Sequence, residues 1–149
     1  MRAVVQRVAQ ARVTVDGRTV GEIGPGFCVF LGVARGDGVE DARYLARKVA
    51  ALRVFPDAEG RFNLGPREAG ASVLAISQFT LLGDCRHGNR PSFAEAAAPE
   101  VARSLYEEFV AALRQAGLAV ATGEFQAHML VELANDGPVT MLLDSGRLF

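Results

Sequence analysis

Gly26-Phe27-Cys28-Val29-Phe30-Leu31 begins a run of apolar residues that continues to Val33. A run without polar alternation, preceded here by the turn Gly24-Pro25-Gly26, is typical of a strand that is buried on both faces. Ser72 to Ile76 is a second short run of the same kind. Both runs therefore predict strands inside the fold.

Further strand signals lie on either side of these runs. Ala11 to Val15 and Arg18 to Ile23 flank Asp16-Gly17, and this spacing predicts a hairpin because both turn residues tolerate positive φ. The remaining predicted strands are residues 2–8, 118–121, 128–133 and 139–143. Residues 56–70 and 83–91 are rich in glycine, proline and charge, so we expect loops there.

Two segments repeat apolar residues at helical spacing. One follows Asp37 and places Leu45, Val49 and Leu52 on one face. The other runs from about Pro99 to Ala116, with the apolar stripe Val101, Leu105, Phe109 and Leu113. Because the strands do not alternate strictly with helices, we expect an α+β fold of packed sheets and two covering helices, as one domain over residues 1–149.

Composition and charge narrow the function classes. The chain has 149 residues, 50% of them hydrophobic, and no apolar run approaches the roughly 20 residues of a membrane-spanning helix. The N-terminus has no cleavage signal, so we expect no signal peptide and no membrane partner. The net charge of −1 argues against a broadly basic nucleic-acid coat, so any nucleic-acid contact would require a local basic patch. Cys28 and Cys85 lack metal-ligand spacing, which indicates free thiols in a cytoplasmic protein.

Three polar segments beside apolar strands are candidate sites. Ser77-Gln78-Phe79-Thr80-Leu81 brings hydroxyls, an amide and backbone N–H groups to a strand end, where they either bind a carbonyl or oxyanion or only bond the backbone. Asn135-Asp136-Gly137-Pro138-Val139-Thr140-Met141 reads as a hairpin turn or as a rigid loop tip with exposed carbonyls. Arg86 to Phe93 is either an anion contact or a solvated loop.

Motifs for other chemistry are absent from the sequence. His87 and His128 are the only histidines, and neither lies in a nucleophile elbow or a zinc motif. The sequence has no glycine-rich phosphate loop with a Lys-Ser/Thr signature. We therefore expect no cofactor and no metal ion.

Taken together, these motifs resemble the D-aminoacyl-tRNA deacylases. The resemblance rests on Ser77-Gln78-Phe79-Thr80-Leu81, Asn89-Arg90-Pro91-Ser92-Phe93 and Asn135-Asp136-Gly137-Pro138-Val139-Thr140, in that order. The start, Met1 to Val8, and the hairpin at Asp16-Gly17 are also similar to that family, so the resemblance covers essentially the whole chain.

The resemblance implies a barrel-like fold of two packed mixed or antiparallel β-sheets with two helices on one side, in β/β/α layers. It implies a homodimer with active sites at the subunit interface and aminoacyl-tRNA, through its 3′-terminal aminoacyl-adenosine, as the partner. Gly137-Pro138 would be the family's Gly-cisPro motif, which reaches into the partner's pocket and fills the place of an L side chain. Glycyl-tRNA would then also be accepted.

The resemblance also assigns roles to individual residues. Ser77, Gln78 and Thr80 would surround the ester and the adenosine, and Phe79 would supply a backbone N–H. Thr80 is a candidate nucleophile, but a threonine without an adjacent base is weak, so we favour assistance by the tRNA 2′-hydroxyl. Arg7 would shape the pocket near Gly137-Pro138, and Met141 would contribute to substrate binding.

Three other functions remain as alternatives. The chain could be a non-catalytic RNA-binding module, which would bind D-aminoacyl-tRNA without cleaving it. It could be a small-molecule hydrolase with a hidden triad that includes His87 or His128. It could also be a dimeric scaffold, which would cleave no aminoacyl ester.

Overall fold

The computed structural model describes residues 1–149 and contains eight strands, two helices and one 3₁₀ turn. In chain order these are β1 (Arg2–Val15), β2 (Arg18–Ile23), β3 (Gly26–Gly32), α1 (Val39–Ala51), β4 (Phe55–Pro56), β5 (Phe62–Leu64), β6 (Ser72–Ser77), the 3₁₀ turn (Phe79–Leu82), α2 (Pro99–Gln115), β7 (Val120–Thr122) and β8 (Leu130–Asp144).

Six strands form one mixed, barrel-like sheet in the order β2-β1-β3-β6-β7, with β8 also paired to β1. β3 is antiparallel to β1 and parallel to β6, and β6 is parallel to β7. The two ends of this order approach each other, because a Cβ atom at Gly21 of β2 would collide with the carbonyl oxygen of Thr122 in β7. β4 and β5 form a separate two-stranded sheet. The predicted α+β, barrel-like fold with two helices is confirmed.

The central strands separate two apolar clusters. Phe27, Val29 and Leu31 of β3 belong to the larger cluster, which includes the buried faces of α1 and α2. Cys28 points the other way, into a smaller cluster inside the barrel. Both faces of β3 are therefore buried, which explains the continuous apolar run in its sequence. Burial also raises the pKa of the Cys28 thiol to about 12.

Several element predictions need correction. Residues 2–8 and 11–15 form the single strand β1, and residues 128–133 and 139–143 contribute to the single strand β8, because both pairs continue one antiparallel ladder. The segment 56–70 was predicted to be a loop but contains β5, which pairs with β4. Val101, predicted in the buried stripe of α2, is 48% exposed, and the neighbouring Ala102 faces the core instead.

The helices cover one side of the sheet and contact each other. Neither has the length and apolar character that a membrane-spanning helix requires. In α2, the Tyr106 hydroxyl donates a hydrogen bond of 2.9 Å to the carbonyl oxygen of Ala75 in β6. This bond links the helix layer to the strand that leads into the candidate site.

Replacing Tyr106 with Phe should lower the free energy of unfolding by about 0.5–1.5 kcal/mol, because one buried hydrogen bond is lost. Ala75 keeps a second donor, the Gly123 N–H at 3.2 Å, which limits the loss. Urea denaturation measures it, with Tyr44→Phe as the matched control because the Tyr44 hydroxyl makes no hydrogen bond within the chain. Equal effects of the two substitutions would contradict this assignment.

The same side chain predicts a pH effect on stability. Burial raises the pKa of Tyr106 from 10.0 to about 12, so the unfolded chain loses this proton first as the pH rises. The wild-type free energy of unfolding should therefore fall between pH 10 and 12, and part of that fall should be missing in Tyr106→Phe.

Candidate active site

A cleft of about 730 Å³ lies where the end of β6, the 3₁₀ turn and the start of α2 meet residues 125–131. Its walls are mainly apolar, with a polar side formed by Ser77, Gln78 and Thr80, and with Gln126 and His128 on the opposite wall. The lining residues are Phe30, Val33, Ile76, Ser77, Gln78, Phe79, Thr80, Ala96, Ala97, Pro99, Ala102, Phe125, Gln126, Ala127, His128, Met129 and Val131. An apolar cavity of this size with a few convergent polar groups is typical of a ligand site.

The polar side of the cleft is built by the change from strand to 3₁₀ turn. The backbone N–H of Gln78 donates a 2.8 Å hydrogen bond to Leu31 of β3, which fixes the point where β6 ends. The Gln78 side-chain amide then donates a 3.0 Å hydrogen bond to the Thr80 hydroxyl. Gly32 permits this packing, since a Cβ atom there would lie 2.6 Å from Leu82 Cδ2.

One rim of the cleft joins the basic segment 86–93. The Phe79 ring packs edge-on against Phe93, with 5.0 Å between the ring centroids. Arg86 forms a short ion pair with Asp84, at 2.6 Å, and its hydrogen bonds lower the pKa of that carboxyl to about 2. Arg86 is therefore paired within the loop, whereas Arg90 forms no ion pair.

No charged side chain lines the cleft, and no cluster of metal-ligating groups occurs in the structure. His128 is one of the lining residues, but no carboxylate lines the cleft beside it. A Ser-His-Asp arrangement therefore lacks its acidic member there. The Thr80 hydroxyl likewise has an amide neighbour rather than a base.

The Gly137-Pro138 segment forms a bulge within β8 rather than a hairpin turn. Gln6 of β1 pairs with Thr140, and Val8 pairs with Asn135. Between these two pairs β1 has Arg7 alone, whereas β8 has residues 136–139, so these residues project from the sheet. The Gly137-Pro138 peptide bond is cis.

Side chains hold both ends of this bulge. Asn135 spans its base, accepting a 2.8 Å hydrogen bond from the Val139 N–H through Oδ1 and donating to the Val139 carbonyl oxygen through Nδ2. Arg7 is buried beneath it and donates 3.0 Å and 2.6 Å hydrogen bonds to the carbonyl oxygens of Asp136 and Val54. Gly137 has a φ of 138°, and a Cβ atom there would lie 2.7 Å from Val139 Cγ2. The bulge therefore requires glycine at this position.

A family model described as D-Tyr-tRNA(Tyr) deacylase matches residues 4–144. The chain belongs to this family. Relatives named D-aminoacyl-tRNA deacylase are similar to it along their full length. The protein from Anaeromyxobacter dehalogenans is 62% identical over 149 residues, with all of both chains covered. The protein from Thermotoga petrophila is 56% identical over 149 residues, again with all of both chains covered.

Two solved structures are also similar to this deacylase. One, described as c-Myc DNA Unwinding Element Binding Protein, has a TM-score of 0.90 and 39% identity, and covers 97% of this chain and 98% of its own. The other, described as a probable eukaryotic D-amino acid tRNA deacylase, has a TM-score of 0.79 at 20% identity and covers 96% and 98%. At that identity, the second likeness concerns the fold alone.

The structure divides the residues predicted for the site of the deacylase into two groups. The segment from Ser77 to Thr80 lines the cleft, whereas Arg7, Gly137 and Pro138 lie together outside it. Met141 belongs to neither group, because it pairs with Val5 and packs against the main core.

The motifs did not indicate the opposite wall of the cleft, which residues 125–129 form. This segment carries no recognisable motif. The signal that was available is Gly123, where a Cβ atom would lie 2.6 Å from the Met129 sulfur, so glycine permits the close approach of this side chain.

Proposed function

We propose that this protein removes D-amino acids from tRNA by hydrolysing their ester bond to the 3′-terminal adenosine, that it accepts glycyl-tRNA, and that it rejects L-aminoacyl esters. Family membership gives the coarser statement: the chain is a D-aminoacyl-tRNA deacylase, a hydrolase that acts on the ester bond of aminoacyl-tRNA. The observation that carries the finer proposal is the uncharged cleft with residues 77–80 on its wall. Because its substrate is charged tRNA, we place the enzyme in the cytoplasm.

The chemistry of the cleft suits the aminoacyl end of tRNA. Adenine, ribose and the ester carry no net charge, and the cleft offers apolar and aromatic walls without a charged side chain. Ser77, Gln78 and Thr80 supply hydroxyl and amide groups that can orient the ribose and the ester carbonyl. The polyanionic remainder of the tRNA must then find its contacts outside the cleft.

Hydrolysis in this cleft depends on positioning rather than on a protein nucleophile. A water molecule attacks the ester carbonyl carbon, the bond to the ribose 3′-oxygen breaks, and that oxygen takes up the proton given up by water. The tRNA 2′-hydroxyl is adjacent to both oxygens and relays this proton. The Phe79 N–H, at the first position of the 3₁₀ turn, stabilises the developing oxyanion. The products are the free D-amino acid and tRNA.

Chiral selection comes from the bulge at Gly137-Pro138 acting in a partner subunit. In the monomer Gly137 and Pro138, the corner of this bulge, are exposed and do not line the cleft of the same protomer. Each protomer of a two-fold homodimer would insert the corner into its neighbour's cleft, which makes the two sites equivalent. Backbone carbonyls then occupy the space of an L side chain and leave room for hydrogen alone, so D-aminoacyl and glycyl esters fit.

The outer edge of β8 supports this dimer. β8 pairs with β1 on one side and has no backbone partner on the other. Leu130 and Leu142 on this strand are 61% and 56% exposed, and Phe62 beside Arg7 is 55% exposed. A long, partly apolar edge strand is commonly covered by a partner. Analytical ultracentrifugation at micromolar concentration should therefore detect a dimer.

Separate incubation with D-tyrosyl-tRNA, L-tyrosyl-tRNA and glycyl-tRNA tests the proposal. We expect ester loss from the D and glycyl substrates and the spontaneous rate for the L substrate. Binding without ester loss would favour an RNA-binding module, and no effect on any ester would favour a scaffold. His128→Ala is the control for a hidden triad: a folded variant without activity would contradict catalysis assisted by tRNA.

A further inference from the structure

A second groove of about 390 Å³ adjoins the active-site cleft, and Phe125 lines both. The groove runs along α2, and its charged residues are Arg103, Glu107, Arg114 and Glu124. The Phe125 ring is the wall that the cleft and the groove share. From a nucleotide bound in the cleft, the groove would therefore begin directly beyond this ring. The function already proposed does not use this groove.

Arg103 is the arginine that stacks on a residue of the cleft wall. Its guanidinium carbon lies 4.5 Å from the centroid of the Phe125 ring. The side chain is exposed and forms no ion pair, even with Glu107 one helical turn away. The guanidinium therefore lies over the ring, while its N–H groups remain available to an oxyanion.

Three other arginines near the cleft are committed elsewhere, and Arg90, which is also unpaired, is not held against a ring of the cleft wall as Arg103 is. Arg86 is paired with Asp84, and Arg2 with Asp144. Arg114, in the same groove, donates a 3.1 Å hydrogen bond to the carbonyl oxygen of Val120. Two glutamates also line the groove, so its charges balance. We therefore expect one local contact there rather than a broad basic surface.

We propose that Arg103 binds the phosphate that joins the terminal adenosine to the preceding nucleotide of the tRNA acceptor strand. This inference rests on the proposed function, which places the adenosine in the cleft. The adenosine carries that phosphate on its 5′-oxygen, just outside the nucleoside, and the cleft itself provides no cation for it. Held on Phe125, the guanidinium binds the phosphate without first having to be ordered.

A substrate that carries this phosphate and one that lacks it test the role of Arg103. These are D-tyrosyl-tRNA and 3′-O-D-tyrosyl-adenosine, which lacks every phosphate. Arg103→Met keeps an apolar stem against Phe125 and removes the charge, and Arg18→Met removes an unpaired arginine at the β1–β2 turn, which lines neither the cleft nor the groove. We expect Arg103→Met to raise KM for the tRNA substrate about tenfold with little change in kcat, and to leave the adenosine ester unaffected.

Salt dependence provides a second readout. Loss of one phosphate contact should reduce the slope of log KM against log salt by about 0.7 for a single-stranded end. Arg103→Lys should restore part of the affinity and of the slope, whereas Arg18→Met should change neither. Equal losses on both substrates would overturn the proposal, because they would mean that Arg103 only supports Phe125. Unchanged kinetics in Arg103→Met would also overturn it.

Binding of the trinucleotide CCA, compared with adenosine, separates this inference from the proposed function. If wild-type protein cleaves neither ester, the proposed function fails, and binding still decides the role of Arg103. Tighter binding of CCA than of adenosine that disappears in Arg103→Met supports the phosphate contact. Equal binding of CCA and adenosine by the wild type refutes it.

Discussion

Replacing the 2′-hydroxyl of the terminal adenosine with hydrogen should slow D-aminoacyl ester hydrolysis by about 10²–10⁴-fold, the range of a well-placed proton-transfer group. The cleft supports this expectation because it offers no carboxylate and the Thr80 hydroxyl faces the Gln78 amide. The adjacent 2′-hydroxyl is then the group best placed to move a proton between water and the 3′-oxygen. Single-turnover rates on D-aminoacyl-tRNA ending in 2′-deoxyadenosine measure the effect.

Thr80→Val is the matched change on the protein side. It removes the hydroxyl, keeps the branched shape and should lower the rate less than about tenfold, since the lost group orients the substrate but does not attack it. The substrate dissociation constant should be measured in both experiments, so that weaker binding is not mistaken for slower chemistry. A loss of several hundredfold in Thr80→Val, with the deoxy substrate cleaved normally, would instead identify Thr80 as the nucleophile.

The sequence was informative wherever the residues of one segment are sufficient to predict its secondary structure and burial. The apolar run in β3 predicted a strand buried on both faces, and the structure shows both faces covered by separate clusters. The segment 77–80 also lies at the end of a buried strand, as predicted, because polar groups that directly follow such a strand must emerge there, while its role in the site stays a prediction. Local periodicity is sufficient in such cases.

The sequence was uninformative where the structure depends on pairing between distant segments. Asp136-Gly137 has the composition of a hairpin turn, but β1 pairs with β8 on both sides of it, so the segment projects as a bulge. The bulge is evident only from the pairing of the two strands, in which Arg7 lies opposite residues 136–139. Local sequence does not determine the register between strands that are so far apart in the chain. The wall from Phe125 to Met129 could not be predicted for the same reason, because Phe125 and Met129 each pack against buried residues that come from distant parts of the chain.

Gly137→Ala should lower kcat/KM for D-aminoacyl-tRNA about 100-fold while leaving the cleft of the same protomer intact. A side chain there would need a φ of 138° and would lie 2.7 Å from Val139 Cγ2, so the bulge must move. A displacement of about 1 Å at a positioning element is enough for a loss of this size. The free energy of unfolding, measured in parallel, controls for general destabilisation.

Phe79→Pro should produce a comparable defect in the cleft itself. Proline removes the Phe79 N–H and is tolerated at the first position of a helical turn, and Gln78 before it lies in the β region rather than in the helical region that a following proline disfavours. Loss of one oxyanion donor lowers rates by about 10²–10³-fold. Phe79→Ala is the matched control, because it removes the ring but keeps the N–H.

A heterodimer with Gly137→Ala in one protomer and Phe79→Pro in the other then tests which protomer's cleft the Gly137-Pro138 bulge serves. If Gly137-Pro138 acts in the partner's cleft, one of the two sites combines the intact cleft of the Gly137→Ala protomer with the intact Gly137-Pro138 bulge of the Phe79→Pro protomer. The purified heterodimer, made by co-expression with two tags, should recover about half of the wild-type rate. If the corner acts within its own protomer, each site carries one defect and the heterodimer stays as inactive as its parents.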